Sequence, residues 1–278
     1  MKFSISALSA SLVLLLQAGL GPGVSASPLH GSSSNNNDSC ISPRPIPDLE
    51  GSDFRSFGVV MFRGIDMVDV FGTLDPLQLM SLSTQQMRLH LIAETLDPIT
   101  TEPAKMNPYN STFWPVFPVT DTFESADELD LDVLIVPGGP GVRNPSLQAA
   151  EEFIKRTYPR VKLMLTVCTG AGLAARAGVL DGRLATTNKK AWDTMTEFGT
   201  GVQWVSPARY VMDGNIWSSS GVTSALDLVF AFIETYWGAD EKNRVAGIIE
   251  HEPRAWDDDP FSDIHGIPPT EAKPCPAE

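Results

Sequence analysis

Positive charge is in short supply in this chain. Only 20 Lys and Arg stand against 34 Asp and Glu in 278 residues, a formal net charge of −14. No basic stripe offsets that excess. A surface of this sign repels phosphate backbones and anionic lipid, which argues against nucleic-acid and membrane-surface partners. Long apolar runs are lacking too. The stretch from Leu12 to Leu20 is broken by Gln17 and Gly19 and is too short to span a bilayer. Histidine is sparse: His30, His90, His251 and His265 are the only four, and none has the strand-end placement of a catalytic base. A conventional Cys-His or Ser-His arrangement is therefore disfavoured, and each histidine reads as solvated or structural. No ligand spacing suggests a metal site, and no cofactor is expected.

Cysteine is scarce as well, with Cys40, Cys168 and Cys275. Their compartment follows from the N-terminus. Lys2, the Leu12–Leu20 run and the small residues Val24-Ser25-Ala26 predict a signal peptide over residues 1–26, hence a secreted, extracellular protein. Residues 27–56, opening with Gly31-Ser32-Ser33-Ser34 and Asn35-Asn36-Asn37, are expected to be a flexible leader. One domain follows at 57–262, then a Pro-rich irregular tail at 263–278. In an oxidising compartment Cys40 and Cys275 can pair and tie down both ends; the alternatives are that they stay unpaired or link two chains. Cys168 is then the odd thiol. Sequons at Asn37 and Asn110 fit the same route.

Apolar runs at Phe57–Phe62, Leu89–Ala93, Leu131–Val136 and Val161–Val167 read as buried strands. Helical spacing over Val68–Ser81, Ser146–Tyr158, Leu173–Ala177, Trp192–Phe198 and Ser224–Trp237 separates or follows them. Residues 98–117 read as an inserted loop or short hairpin. Tyr210 to Trp217 reads as two strands around an Asp-Gly turn. The alternation predicts an α/β fold, a three-layer sandwich around a mainly parallel sheet. Sites in such folds lie beyond the carboxyl ends of the strands.

Three strand ends carry the chemistry. Thr166-Val167-Cys168-Thr169-Gly170 sets Cys168 in a strand–turn–helix elbow, where free helical amides are expected to lower a thiol pKa. A buried structural cysteine is the bland alternative. Gly170-Ala171-Gly172-Leu173-Ala174-Ala175 also matches a GxGxxA dinucleotide fingerprint, but it follows a late strand rather than the first. Pro137-Gly138-Gly139-Pro140-Gly141 lacks the Lys of a phosphate loop; the Gly139 region either polarises a reacting group or is a tight turn. Asp69 follows the first strand. It is either a half-buried acid or base facing Cys168, or the cap of the first helix, a role Asp66 can fill instead.

These pieces together resemble the ThiJ/PfpI superfamily, whose domain is flavodoxin-like and class I glutamine-amidotransferase-like. The resemblance is carried by Arg63-Gly64 through Asp69-Val70-Phe71-Gly72, by Asp132 to Gly141, by Val167-Cys168-Thr169-Gly170, and by Ser219 to Asp227. The Cys-Thr-Gly turn is most similar to isocyanide hydratases and to the ligand domains of AraC-type regulators. The resemblance implies a homodimer and a small-molecule substrate. It implies that Cys168 attacks the terminal carbon of an isocyanide to form a thioimidate. Asp69 would handle the protons, and Thr169 and the amides near Gly139 would position the reacting groups. One departure stands out: related sequences read Ala-Thr-Thr-His-Trp where this chain has Ala185-Thr186-Thr187-Asn188-Lys189. Asn188 cannot titrate. A non-catalytic ligand-binding or redox-sensing domain, and a glyoxalase or deglycase, are the competing functions. The second is weakened because Asp69 stands where such enzymes carry glutamate.

Overall fold

A computed structural model describes residues 40–275; the expected signal peptide, the start of the leader and the Asn37 sequon lie outside them. The elements in order are β1 (Ser56–Val60), α1 (Met67–Ser83), β2 (Arg88–Ala93), β3 (Ile99–Thr100), β4 (Val116–Phe117), β5 (Asp121–Thr122), β6 (Val133–Val136), α2 (Gln148–Thr157), β7 (Leu163–Thr166) and α3 (Gly170–Arg176). After these come β8 (Leu184–Ala185), α4 (Trp192–Thr196), β9 (Gln203–Trp204), β10 (Tyr210–Asp213), β11 (Ile216–Ser219), α5 (Ser224–Trp237), α6 (Ala239–Ile249) and α7 (Phe261–Ile264).

The main sheet runs β10-β11-β7-β6-β1-β2-β5 and is parallel except for the β10–β11 hairpin. Its central strands β1, β6 and β7 are buried at every residue, because helices cover both faces. One helical layer joins α1, α5 and α6; the other joins α2, α3 and α4. Trp217, Phe54, Phe153, Phe230 and Phe232 anchor the core. None of the described helices is long and apolar enough to cross a membrane.

The inserted segment at 98–117 pairs only at its ends, through β3 and β4. Its sequon residue Asn110 is exposed. The packed region begins earlier than expected. From Cys40 the leader is anchored: Ile41 bridges Pro274, the Arg44 guanidinium pairs with Asp213 at 2.7 Å, and Phe54 is fully buried. The polar composition of this stretch concealed one aromatic anchor and one ion pair. Helix α7 runs into the tail as far as Ile264, and the irregular residues 267–275 beyond it are held. Cys40 and Cys275 form a disulfide within the chain, and the Thr270 amide donates to the Ser206 carbonyl at 2.8 Å.

Candidate active site

Strand β7 ends at Thr166, and Cys168 follows in a left-handed conformation with φ +56°. For a residue with a side chain that backbone costs about 1–2 kcal/mol. The turn is held by its neighbours: the Val167 amide donates to the Val136 carbonyl at 2.9 Å, and the Gly170 amide to the Val167 carbonyl at 2.8 Å. A side chain at Gly170 would run into the Val136 carbonyl. The strained elbow therefore turns the sulfur out of the strand line toward the carboxyl end of β1.

There the sulfur meets Asp69, which is fully buried. Asp66 caps α1 through the Val68 amide at 3.0 Å, which frees Asp69 from that task. The Gly138 amide donates to Asp69 Oδ2 at 2.9 Å, while Oδ1 has no hydrogen-bond partner among the described residues. Burial first, and the Asp66 charge second, raise the Asp69 pKa to about 7. The Asp69 carboxyl thus lies near half-ionisation at neutral pH.

The thiol departs from the expected direction. Burial, reinforced by the Asp69 charge, pushes the Cys168 pKa well above its ordinary value. The Thr169 amide and the Asn188 side chain pull the other way without reversing the shift. Val167, Val222 and Ala225 pack around the cysteine, which is 5% exposed. Desolvation outweighs the donors at the helix end here.

Thr169 and Gly139 also differ in how they act. The Gly139 amide donates to Thr169 Oγ1 at 2.9 Å, and that hydroxyl lies 3.2 Å from the Gly139 carbonyl. Both groups are spent on each other, so they brace the turn rather than face a reacting atom. The donors directed at the sulfur are instead the Thr169 amide and Asn188 Nδ2, the latter at 3.2 Å. Asn188 therefore occupies the place where the resemblance expects histidine, and supplies a donor that carries no exchangeable charge. A cleft of about 210 Å³, lined in part by Asn188, Ser220, Val222, Phe261 and His265, opens beyond it.

The remaining histidines fit the structural reading. His90 Nδ1 lies 2.9 Å from Asp121, and His251 Nε2 lies 2.9 Å from Asp227 while its ring stacks on Phe230. His30 lies outside the described residues. Sequence reasoning missed Lys189, a buried cation whose pKa is lowered to about 8 by burial, against the pull of Asp259. A lysine beside a polar Asn gives no periodic signal of burial.

The profile of the DJ-1/PfpI family matches residues 59–235, more than half of the chain. The chain belongs to the DJ-1/PfpI family. Among its curated relatives, isonitrile hydratase of Pseudomonas putida is 29% identical over 200 residues, covering 70% of this chain and 78% of that protein. The HTH-type transcriptional regulator GbdR of Pseudomonas aeruginosa is 26% identical over 122 residues, covering 44% of this chain and 33% of the regulator. A solved ThiJ/PfpI family protein from Pseudomonas syringae superposes with a TM-score of 0.58 at 22% identity, covering 83% of this chain and 84% of that one. The last likeness speaks for the fold.

Proposed function

We propose that this family member is a cysteine-dependent hydratase of small isocyanides or related electrophiles. The observation that carries the reading is the buried Asp69 carboxyl beside Cys168, with a pKa near neutrality. A neutral thiol and an ionised carboxylate share one proton in this pair. Sγ bonds to the terminal isocyanide carbon, and the thiol proton, relayed through Asp69, ends on that same carbon. The product is a thioimidate. Water then adds to the thioimidate carbon while the nitrogen takes up a proton. Collapse breaks the C–S bond, returns a proton to sulfur and releases an N-substituted formamide. Asn188 Nδ2 and the Thr169 amide donate to the sulfur as it leaves. The isonitrile hydratase relative supports this reading.

The test is formamide production from simple aryl and alkyl isocyanides. Wild-type protein is expected to form it, and Cys168→Ala and Asp69→Asn are expected to lose it. Equal turnover by wild type and Cys168→Ala would rule the mechanism out. A second reading, a non-catalytic ligand-binding domain, is favoured by the low exposure of the thiol. Saturable binding of an isocyanide without turnover would favour it.

The same proposal places the protein outside the cell. The Cys40–Cys275 disulfide supports this, since such bridges persist where thiols are not kept reduced. N-terminal sequencing of protein recovered from culture medium should find cleavage near Ala26.

A further inference from the structure

Lys189 touches neither the sulfur nor Asp69, yet it organises the turn beside them. It is 3% exposed. Its Nζ donates to Thr186 Oγ1 at 2.9 Å, the Ala208 carbonyl at 2.9 Å and Ser220 Oγ at 3.0 Å, and lies 3.2 Å from Asp259 Oδ2. The Thr187 carbonyl is farther, at 3.4 Å, and the Trp192 ring centre is 5.1 Å away. One ammonium thus joins its own turn, the stretch before β10, the turn after β11 and the C-terminal segment. A buried cation is tolerated only with such partners, so the geometry around it is over-determined.

Asn188 sits inside that clamp, between Thr187 and Lys189. The Thr187 hydroxyl donates to the Cys168 carbonyl at 2.9 Å, and Asn188 Oδ1 accepts from the Ala191 amide at 3.1 Å. What remains free, Asn188 Nδ2, is directed at the sulfur. Asp259 has its own anchors. It accepts from Ser262 Oγ at 2.8 Å, and Ser262 Oγ lies 2.8 Å from Ser206 Oγ. Asp259 also stands beyond residue 235, where the family match ends.

We propose that Lys189, clamped to Asp259, is a positioning residue that holds the Asn188 amide against the Cys168 sulfur and makes the C-terminal segment part of the site. The proposal rests on Cys168 being the reacting group, but not on isocyanide turnover. The test therefore reads the thiol itself. With Cys40 and Cys275 bridged, Cys168 is the one free cysteine in the chain, so its S–H stretching band in the infrared is a single signal. Removing the donor with Asn188→Ala is expected to shift that band. Lys189→Met should shift it to the same position, and the double variant should shift it no further, because without the amide nothing is left to position. A Lys189→Met band coincident with wild type, or a shift that adds to that of Asn188→Ala, overturns the proposal. Where Lys189→Met fails to fold, Asp259→Asn takes its place in the same cycle, and a coincident band or an additive shift again overturns the proposal. None of these measurements needs turnover, so failure of the hydratase assignment is told apart from failure of this one.

Discussion

Burial sets the chemistry of Asp69, and it does so at a cost to the fold. Its pKa rises from 3.8 to about 7, which is worth about 4 kcal/mol as an order of magnitude. A carboxyl raised on folding favours the native state below its unfolded value. That contribution is lost as pH climbs through the folded value. Asp69→Asn keeps an acceptor for the Gly138 amide and removes the cost. The variant should therefore be more stable than wild type at pH 8, by no more than that figure, and melt at nearly the same temperature at pH 3.5. Thermal unfolding at the two pH values decides this. Activity should move oppositely: formamide production by wild type should rise with pH through about 7, as the carboxyl gains the ability to take the thiol proton. A profile flat across that range would contradict the assignment. Cys168 and Asp69 were both legible in the sequence from their places after strands. The direction of the thiol shift was not, because it depends on Val222 and Ala225, which are distant in sequence.

Among the elements, the turn after β6 leaves no room for an added side chain. A Cβ at Gly138 would stand 2.6 Å from the Thr169 amide nitrogen and 2.8 Å from Asp69 Oδ2. Gly138→Ala must push one of them away. We expect a loss of about 1–3 kcal/mol in stability and about a hundredfold in turnover, since small misplacements of reacting groups are costly. Gly247 in α6 is the control, because nothing stands within 4 Å of a Cβ there. Gly247→Ala should stabilise by about 0.5–1 kcal/mol with turnover unchanged. The long elements were legible because α5 and the central strands show strong apolar patterns. Helix α6 was not: only Val245 and Ala246 are buried, too few to mark a stripe. The short strands β5, β8 and β9 are two residues each and leave no period to detect.

Across the whole molecule, the Cys40–Cys275 bridge joins positions 235 residues apart. Closing so long a loop limits the unfolded chain more than the folded one. Replacing both cysteines by serine should lower unfolding stability by about 2–4 kcal/mol in chemical denaturation. Lys189 and Asp259, within the packed domain, should keep their pairing and so leave turnover intact. The ends of the described chain were the least legible part. Their Ser- and Pro-rich composition reads as loose, while Phe54, Arg44 and Thr270 each supply a single long-range anchor that no local pattern reveals.

Covalent capture decides whether the Cys168 thiol is the nucleophile. Intact-mass spectrometry of the protein, quenched in acid soon after mixing with an aryl isocyanide, should show one added isocyanide per chain, mapped to the peptide bearing Cys168 and absent from Cys168→Ala. Formamide formation with no adduct on that peptide, and at equal rate in Cys168→Ala, would contradict that role.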